Sequence, residues 1–226
     1  MAAVLGFDTA TSATAVGLLL EDGRALERRD DPPPGERPRH ASRLLALIDE
    51  VLAEAGVGWD AVPRLAVGVG PGGFTGLRIG IATARALAQA RALELVPVSS
   101  LRALAAGAGS DELVAAVLDA RRGEAFFAAY RGAETVVAPV ALAPDALETA
   151  VAGLGAGLPA IGDGALRFRK QLERAGAAVP ADGDPVHRLG AVPLCRLGAA
   201  GRPAHRDAIV PDYRRDPDAR VGGARS

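Results

Sequence analysis

The sequence predicts an α/β protein of two halves built to one plan, and three observations carry that expectation. Residues 65–90, LAVGVGPGGFTGLRIGIATARALAQA, read as a strand, a glycine-rich turn and a helix, after which residues 93–98 return as a strand. Two apolar runs that end in an acid, residues 3–7 before Asp8 and 113–118 before Asp119, each lead into a hairpin. Hydrophobic residues make up 49% of the 226, enough for packed cores.

Taken in order, residues 3–7 and 15–20 flank DTATSAT and precede the turn signal Glu21-Asp22-Gly23, so the chain opens with a hairpin. Its turn crowds Asp8, Thr9, Thr11, Ser12 and Thr14 together. Such a turn either bonds its own backbone or meets a phosphate with its metal ion, and both readings stand on the residues. Residues 28–38, RRDDPPPGERP, read as a mobile surface loop. From 39 to 55 the apolar positions Leu44, Leu45, Leu47, Ile48, Val51 and Leu52 follow helical spacing, with Gly56 as a stop. His40 at that start reads as a cap or surface residue, because no second histidine or cysteine lies a turn away.

In the helix after the glycine-rich turn, Gly76, Gly80, Ala84 and Ala88 recur four apart and let another backbone approach closely. Arg78, Arg85 and Gln89 follow another line. The small-residue line fits either a buried crossover helix or the seat of a partner helix. A domain boundary is expected near residue 100, giving an N-terminal domain of 1–100 and a smaller second domain of 101–226. The second half is expected to hold strands at 113–118, 124–130, 135–142 and 158–161, a short helix at 144–151 and another at 165–175. Pro185, Pro193, Pro203 and Pro211 leave room only for short helices, with about 209–226 packing back on the first domain.

Charge nearly cancels, 26 Lys and Arg against 27 Asp and Glu, which argues against a broad electrostatic grip on nucleic acid or membrane. Cys195 is the single cysteine, so no internal disulfide forms. Without a cationic leader or an apolar run of membrane-spanning length, a soluble cytoplasmic protein is expected.

The repeated strand, acid and hairpin form the skeleton of the two-domain fold shared by actin, sugar kinases and Hsp70-type ATPases, here with a reduced second domain. DTATSATAVGLL, HASRLLALIDEVLAEAG, VGVGPGGFTGLRIGIATARALA, VPVSSLRALA, LDARRGEAFFAAY and PDYRRDPDAR together resemble the TsaB (YeaZ) family, over about residues 3–220. That family supplies the dimerization subunit of the bacterial tRNA threonylcarbamoyladenosine machinery. The resemblance implies a non-catalytic scaffold that binds and activates a TsaD-like transferase, with a TsaE-like ATPase completing the assembly. It also implies a homodimer in isolation and tRNA reached only through the complex.

The resemblance further places the interface at Leu44, Leu47, Ile48, Val51, Gly76, Gly80, Ala84 and Leu87, with Arg78 at its rim. Asp8, Thr9, Thr11, Ser12 and Asp119 fall where the superfamily contacts phosphate, and IGDGA at 161–165 stands as a remnant of its adenosine-binding turn. No cofactor is expected for the chain by itself, while ATP or ADP at the interface with the partner stays open. The paralogue's HxxxH metal pair matches Ser100 and Leu104, which cannot replace two imidazoles, so neither a metal centre nor metallopeptidase chemistry is expected. The alternative is a small ATP-dependent phosphotransferase with Asp8 and Asp119 around magnesium and phosphate.

Overall fold

The opening apolar runs are buried on both faces, which requires cover on both sides of the sheet they enter. The computed structural model, which describes residues 3–33 and 35–214, provides it. Strands β1 (Val4–Asp8), β2 (Thr14–Leu19), β3 (Ala25–Asp30), β4 (Arg64–Gly70) and β5 (Glu94–Ser99) form one sheet in the order β3-β2-β1-β4-β5. β1 and β2 pair antiparallel with Asp8 opposite Ala15, while β4 runs parallel to both β1 and β5. One face meets α1 (His40–Ala55) and α2 (Phe74–Arg91), with Leu5, Phe7, Val16, Leu18, Leu65 and Val67 packed against Leu44, Leu47, Ile48, Val51, Ile81 and Ala84. The other face meets α3 (Ser100–Gly107) and α7 (Ala191–Ala200), where Val4, Ala66 and Val96 join Leu101, Leu194 and Cys195.

Strands β6 (Leu113–Arg121), β7 (Glu124–Arg131), β8 (Glu134–Leu142) and β9 (Ala160–Ile161) form a second sheet in the order β8-β7-β6-β9. Alternation along β6 and β7 divides its side chains cleanly. Val114, Ala116, Leu118, Phe126 and Ala128 share the core of α3, whereas Ala115, Val117, Phe127 and Ala129 pack with α4 (Pro144–Ala152), α5 (Asp163–Arg167) and α6 (Arg169–Arg174). Helix α3 therefore lies between the two sheets.

Three local expectations need correction. Residues 28–30 are not loop but the end of β3, an edge strand whose charges hide its pattern; Arg28 pairs with Glu54, Arg29 with Asp31 and Arg39 with Asp30. The single helix expected at 165–175 is two, broken at Phe168, whose ring is buried while its backbone leaves helical geometry (φ −104°, ψ 23°). His40 is neither cap side chain nor surface residue, being 4% exposed.

The returning C-terminal segment is held along the first sheet as far as the described residues run. Ala204 N donates to Leu95 O, Ile209 is buried, Asp212 N donates to Val69 O at 2.8 Å and the Tyr213 ring stacks on Phe74. Residues 215–226 of the expected stretch lie outside the described residues.

The small-residue line of α2 serves the chain's own β1–β2 turn. A Cβ at Gly76 would overlap Thr9 O, and one at Gly80 would overlap Thr9 Oγ1. Helix propensity alone says that Gly80→Ala should stabilise by about 1 kcal/mol. Overlap with the buried Thr9 hydroxyl, held in place by its bond to Gly76 O, is expected to reverse the sign, to a net loss of about 1–3 kcal/mol by urea denaturation. The exposed Ala82→Gly, which removes a Cβ with no neighbour to relieve, should lose only the propensity difference.

Candidate functional site

The turn between β1 and β2 lies beneath the N-terminal half of α2 and spends nearly all its polar groups on this chain. Asp8 is 2% exposed; its Oδ1 accepts from Ala10 N at 2.6 Å and its Oδ2 from Ser100 Oγ at 2.6 Å. Ser100 Oγ in turn accepts from Gly70 N. Burial pushes the Asp8 carboxyl above its ordinary value, and the bonds from Ser100 and Ala10 only partly oppose it. Thr9 Oγ1 donates to Gly76 O at 2.8 Å, Thr11 Oγ1 accepts from Ala13 N, and Gly73 N donates to Ala10 O. Gly68 leaves the space that the Asp8 carboxylate fills, where a Cβ would collide with it.

His40 completes the latch. Its Nδ1 lies 2.8 Å from Thr14 Oγ1, the Thr11 backbone also bonds the ring, and burial holds its pKa below the usual imidazole value. Spacing gave no sign of this role, because the residues that satisfy His40 are twenty-six and more positions away; the one available hint was a histidine opening a helix that carries no N-cap bond.

A cavity of about 550 Å³ opens beside this turn, between the first sheet's helices and the β6–β7 hairpin. Thr11, His40, Phe74 and Gly76 line it from the first sheet's side, Asp119, Arg121, Phe126 and Asp163 from the second, and Arg37, Tyr213 and Arg214 line it as well. Of the five residues expected at phosphate, Thr11 and Asp119 line the cavity; Asp8 and Thr9 are buried behind it, and Ser12 is not among its walls. Asp119 accepts twice from Arg167 Nη1, at 2.9 and 2.8 Å, and Asp163 Oδ1 accepts from Asp119 N. Burial raises the Asp163 carboxyl above its usual range, against the pull of that hydrogen bond. At the positions matching the paralogue's metal pair, Ser100 holds Asp8 and Leu104 fills the core between the sheets. Among the described residues no three of His, Cys, Asp and Glu gather as a metal site. Nor is any described helix long and apolar enough to cross a membrane.

The expected interface residues need the largest correction. Leu44, Leu47, Ile48, Val51 and Ala84 are at most 2% exposed and belong to the core under the first sheet, while Gly76 and Gly80 are covered by Thr9. Of the nine, Arg78 is exposed and Leu87 half-buried. Arg78 lies 3.7 Å over the Phe74 ring and donates from Nε to the Tyr213 hydroxyl. The outward stripes of the same helices carry Ala41, Ser42, Leu45, Thr75, Ala82 and Ala86, with Ile79 half-buried among them. Leu45, 54% exposed, was the residue to notice: a leucine one position off the buried stripe.

The family model for TsaD, tRNA N6-adenosine threonylcarbamoyltransferase, matches residues 33–171. The Haemophilus influenzae tRNA threonylcarbamoyladenosine biosynthesis protein TsaB is 39% identical over 127 residues, covering 55% of this chain and 52% of that protein. The chain thus spans about half the length of this curated relative. YeaZ from Pseudomonas aeruginosa superimposes with a TM-score of 0.77 at 30% identity, covering 94% of this chain and all of that one. A hexokinase of the ROK group from Thermus thermophilus, at 14% identity and a TM-score of 0.54, shares the fold alone.

Because folding raises the Asp8 pKa, the native state holds this proton more tightly than the unfolded chain. The Asp8 contribution to stability is therefore present at low pH and is lost as pH rises from about 3.8 through the raised native value. Asp8→Asn removes that titration. In urea titrations across this range, the stability of the variant relative to the natural chain should climb with pH; a difference that stays flat contradicts the buried carboxylate described here.

Proposed function

Because the chain belongs to the TsaB (YeaZ) family, we propose that it acts in tRNA threonylcarbamoyladenosine biosynthesis as a partner subunit that binds and activates a TsaD-like transferase. That transferase moves a threonylcarbamoyl group from its adenylate to N6 of the adenosine next to the anticodon. One observation carries this reading: the outward side of α1 and α2 leaves Leu45 exposed among Ala41, Ala82 and Ala86, with Asp49, Glu50, Glu54 and Arg78 also exposed on these helices. An exposed leucine flanked by small residues offers apolar surface for a partner to bury. Its low relief suits another helix pair, either the transferase's or a second copy's when the chain is isolated. A TsaE-like ATPase completes the assembly in this reading.

Activation needs no reacting group here. Docking that favours the competent conformation of the transferase contributes differential binding energy between two states, and that is enough. The rival reading, an ATP-dependent phosphotransferase, needs Asp8 free to meet magnesium or phosphate, whereas both of its oxygens already accept from this chain. A nucleotide held jointly with the partner remains compatible with the cavity walls and belongs to the same proposal.

Leu45→Glu places a charge at the centre of the outward face without touching the core. Co-purification with the host's TsaD-like protein should weaken by roughly thirtyfold, the scale of an interface hot spot worth about 2 kcal/mol. Modification of tRNA in a reconstituted assay should fall with it, while the melting temperature of the isolated chain holds. Retained assembly and activity would remove this face from the proposal.

A further inference from the structure

We propose that Arg78, seated on Phe74 and tied to Tyr213 of the returning C-terminal segment, grips a side-chain carboxylate of the transferase, and that this segment forms a third strip of the docking face. Resting on the reading that α1 and α2 meet that partner, it adds a charged anchor to their contact.

Arg78 stands on the outward side of α2, one turn before Ala82, and is exposed. Its guanidinium carbon lies 3.7 Å over the Phe74 ring, and its Nε donates to the Tyr213 hydroxyl at 3.0 Å. The Phe74 and Tyr213 rings stack with centroids 4.9 Å apart, so the two holders brace each other. Among the described residues Arg78 makes no ion pair, and both of its Nη groups are left without an acceptor. An arginine on a surface gives up rotamer freedom when it binds a carboxylate. Here the ring and the hydroxyl have already fixed the guanidinium, with its two-pronged edge free.

The fork calls for an anion, and its neighbours decide which kind. The other arginines of α2 are engaged, Arg85 by Asp207 at 3.0 Å and Arg91 over the Trp59 ring. A phosphate backbone is tracked by a row of free cations, whereas one planar fork matches one carboxylate.

The returning segment extends the face. α1 covers β2 and β3, α2 covers β4 and β5, and the segment follows them, with Ala204 N bonded to Leu95 O and Asp212 N to Val69 O. α2 therefore lies between Leu45 on α1 and this segment. Among the described residues three large apolar side chains are exposed, those of Leu45, Val210 and Tyr213, and the last two stand on the segment. An arginine and a tyrosine flanked by apolar side chains have the composition of an interface hot spot. Continuity with the face of α1 and α2 assigns them the same occupant.

Biolayer interferometry of the full chain against the host's purified TsaD-like protein tests this. Arg78→Ala should weaken binding by about thirtyfold or more, and Arg78→Lys should recover little of it, because an ammonium neither lies flat on a ring nor forks. Tyr213 acts as a positioning residue: Tyr213→Phe keeps the ring and removes the tie, so it should cost about three- to tenfold in the natural chain and nothing further beside Arg78→Ala. Melting temperatures should hold in all of these variants, and added salt should weaken the natural chain more than Arg78→Ala. Additive losses from Arg78→Ala and Tyr213→Phe, or an Arg78→Ala affinity within about twofold of the natural one, would overturn the proposal. Leu45→Glu, measured beside them, separates the two readings: broken binding leaves the docking of α1 and α2 standing without the Arg78 anchor, and unchanged binding removes both. If Arg78→Ala alters only the self-association of the isolated chain in sedimentation, the proposal falls in favour of a second copy, whose exposed Asp49 makes no ion pair among the described residues.

Discussion

Everything in this molecule is arranged around one buried turn. Thr9 fits under α2 only because Gly76 and Gly80 lack side chains, and Asp8 fits beside β4 only because Gly68 does. Each polar group that burial would otherwise penalise finds a partner on a different element: Asp8 on α3, Thr9 on α2, Thr14 on α1. The turn thereby ties three helices to the first sheet. Since α3 is also the layer between the sheets, the same bonds fix where the second sheet and the cavity stand.

That arrangement separates support from contact. Polar residues that a phosphate-binding relative would offer to a ligand are consumed here as internal fasteners, leaving Thr11 and Asp119 on the cavity wall. The apolar stripe of α1 is likewise consumed by the core, and what the helices offer outward is one exposed leucine and several alanines among charged and polar side chains such as Asp49, Glu50 and Arg78.

Much of the fold was legible in the sequence, because hydrophobic alternation and helical spacing report burial directly. β1, β2, β4, β5, α1 and α2 were all readable on that basis. β3 was not, since an edge strand protected by Arg28, Arg29 and Asp30 looks like a charged loop. The site was harder for a related reason. Periodicity marks which stripe of a helix is buried, so Leu44, Leu47, Ile48 and Val51 stood out as sticky when they were core. Gly76 and Gly80 correctly signalled a close approach, but a sequence does not say whether the neighbour is Thr9 of the same chain or another polypeptide. His40 and Ser100 act through partners distant in the chain, and no local pattern announces them.

The proposed function stands on contact between the outward face of α1 and α2 and the transferase. Hydrogen–deuterium exchange of the full chain, with and without the TsaD-like protein, addresses it most directly, because it reads every segment at once. Slowed exchange is expected in Ala41–Glu54 and Thr75–Gln89 on addition of the partner, with the β8 edge unchanged. Protection confined to the second sheet, or none at all in α1 and α2 under conditions where the two proteins co-purify, would contradict it.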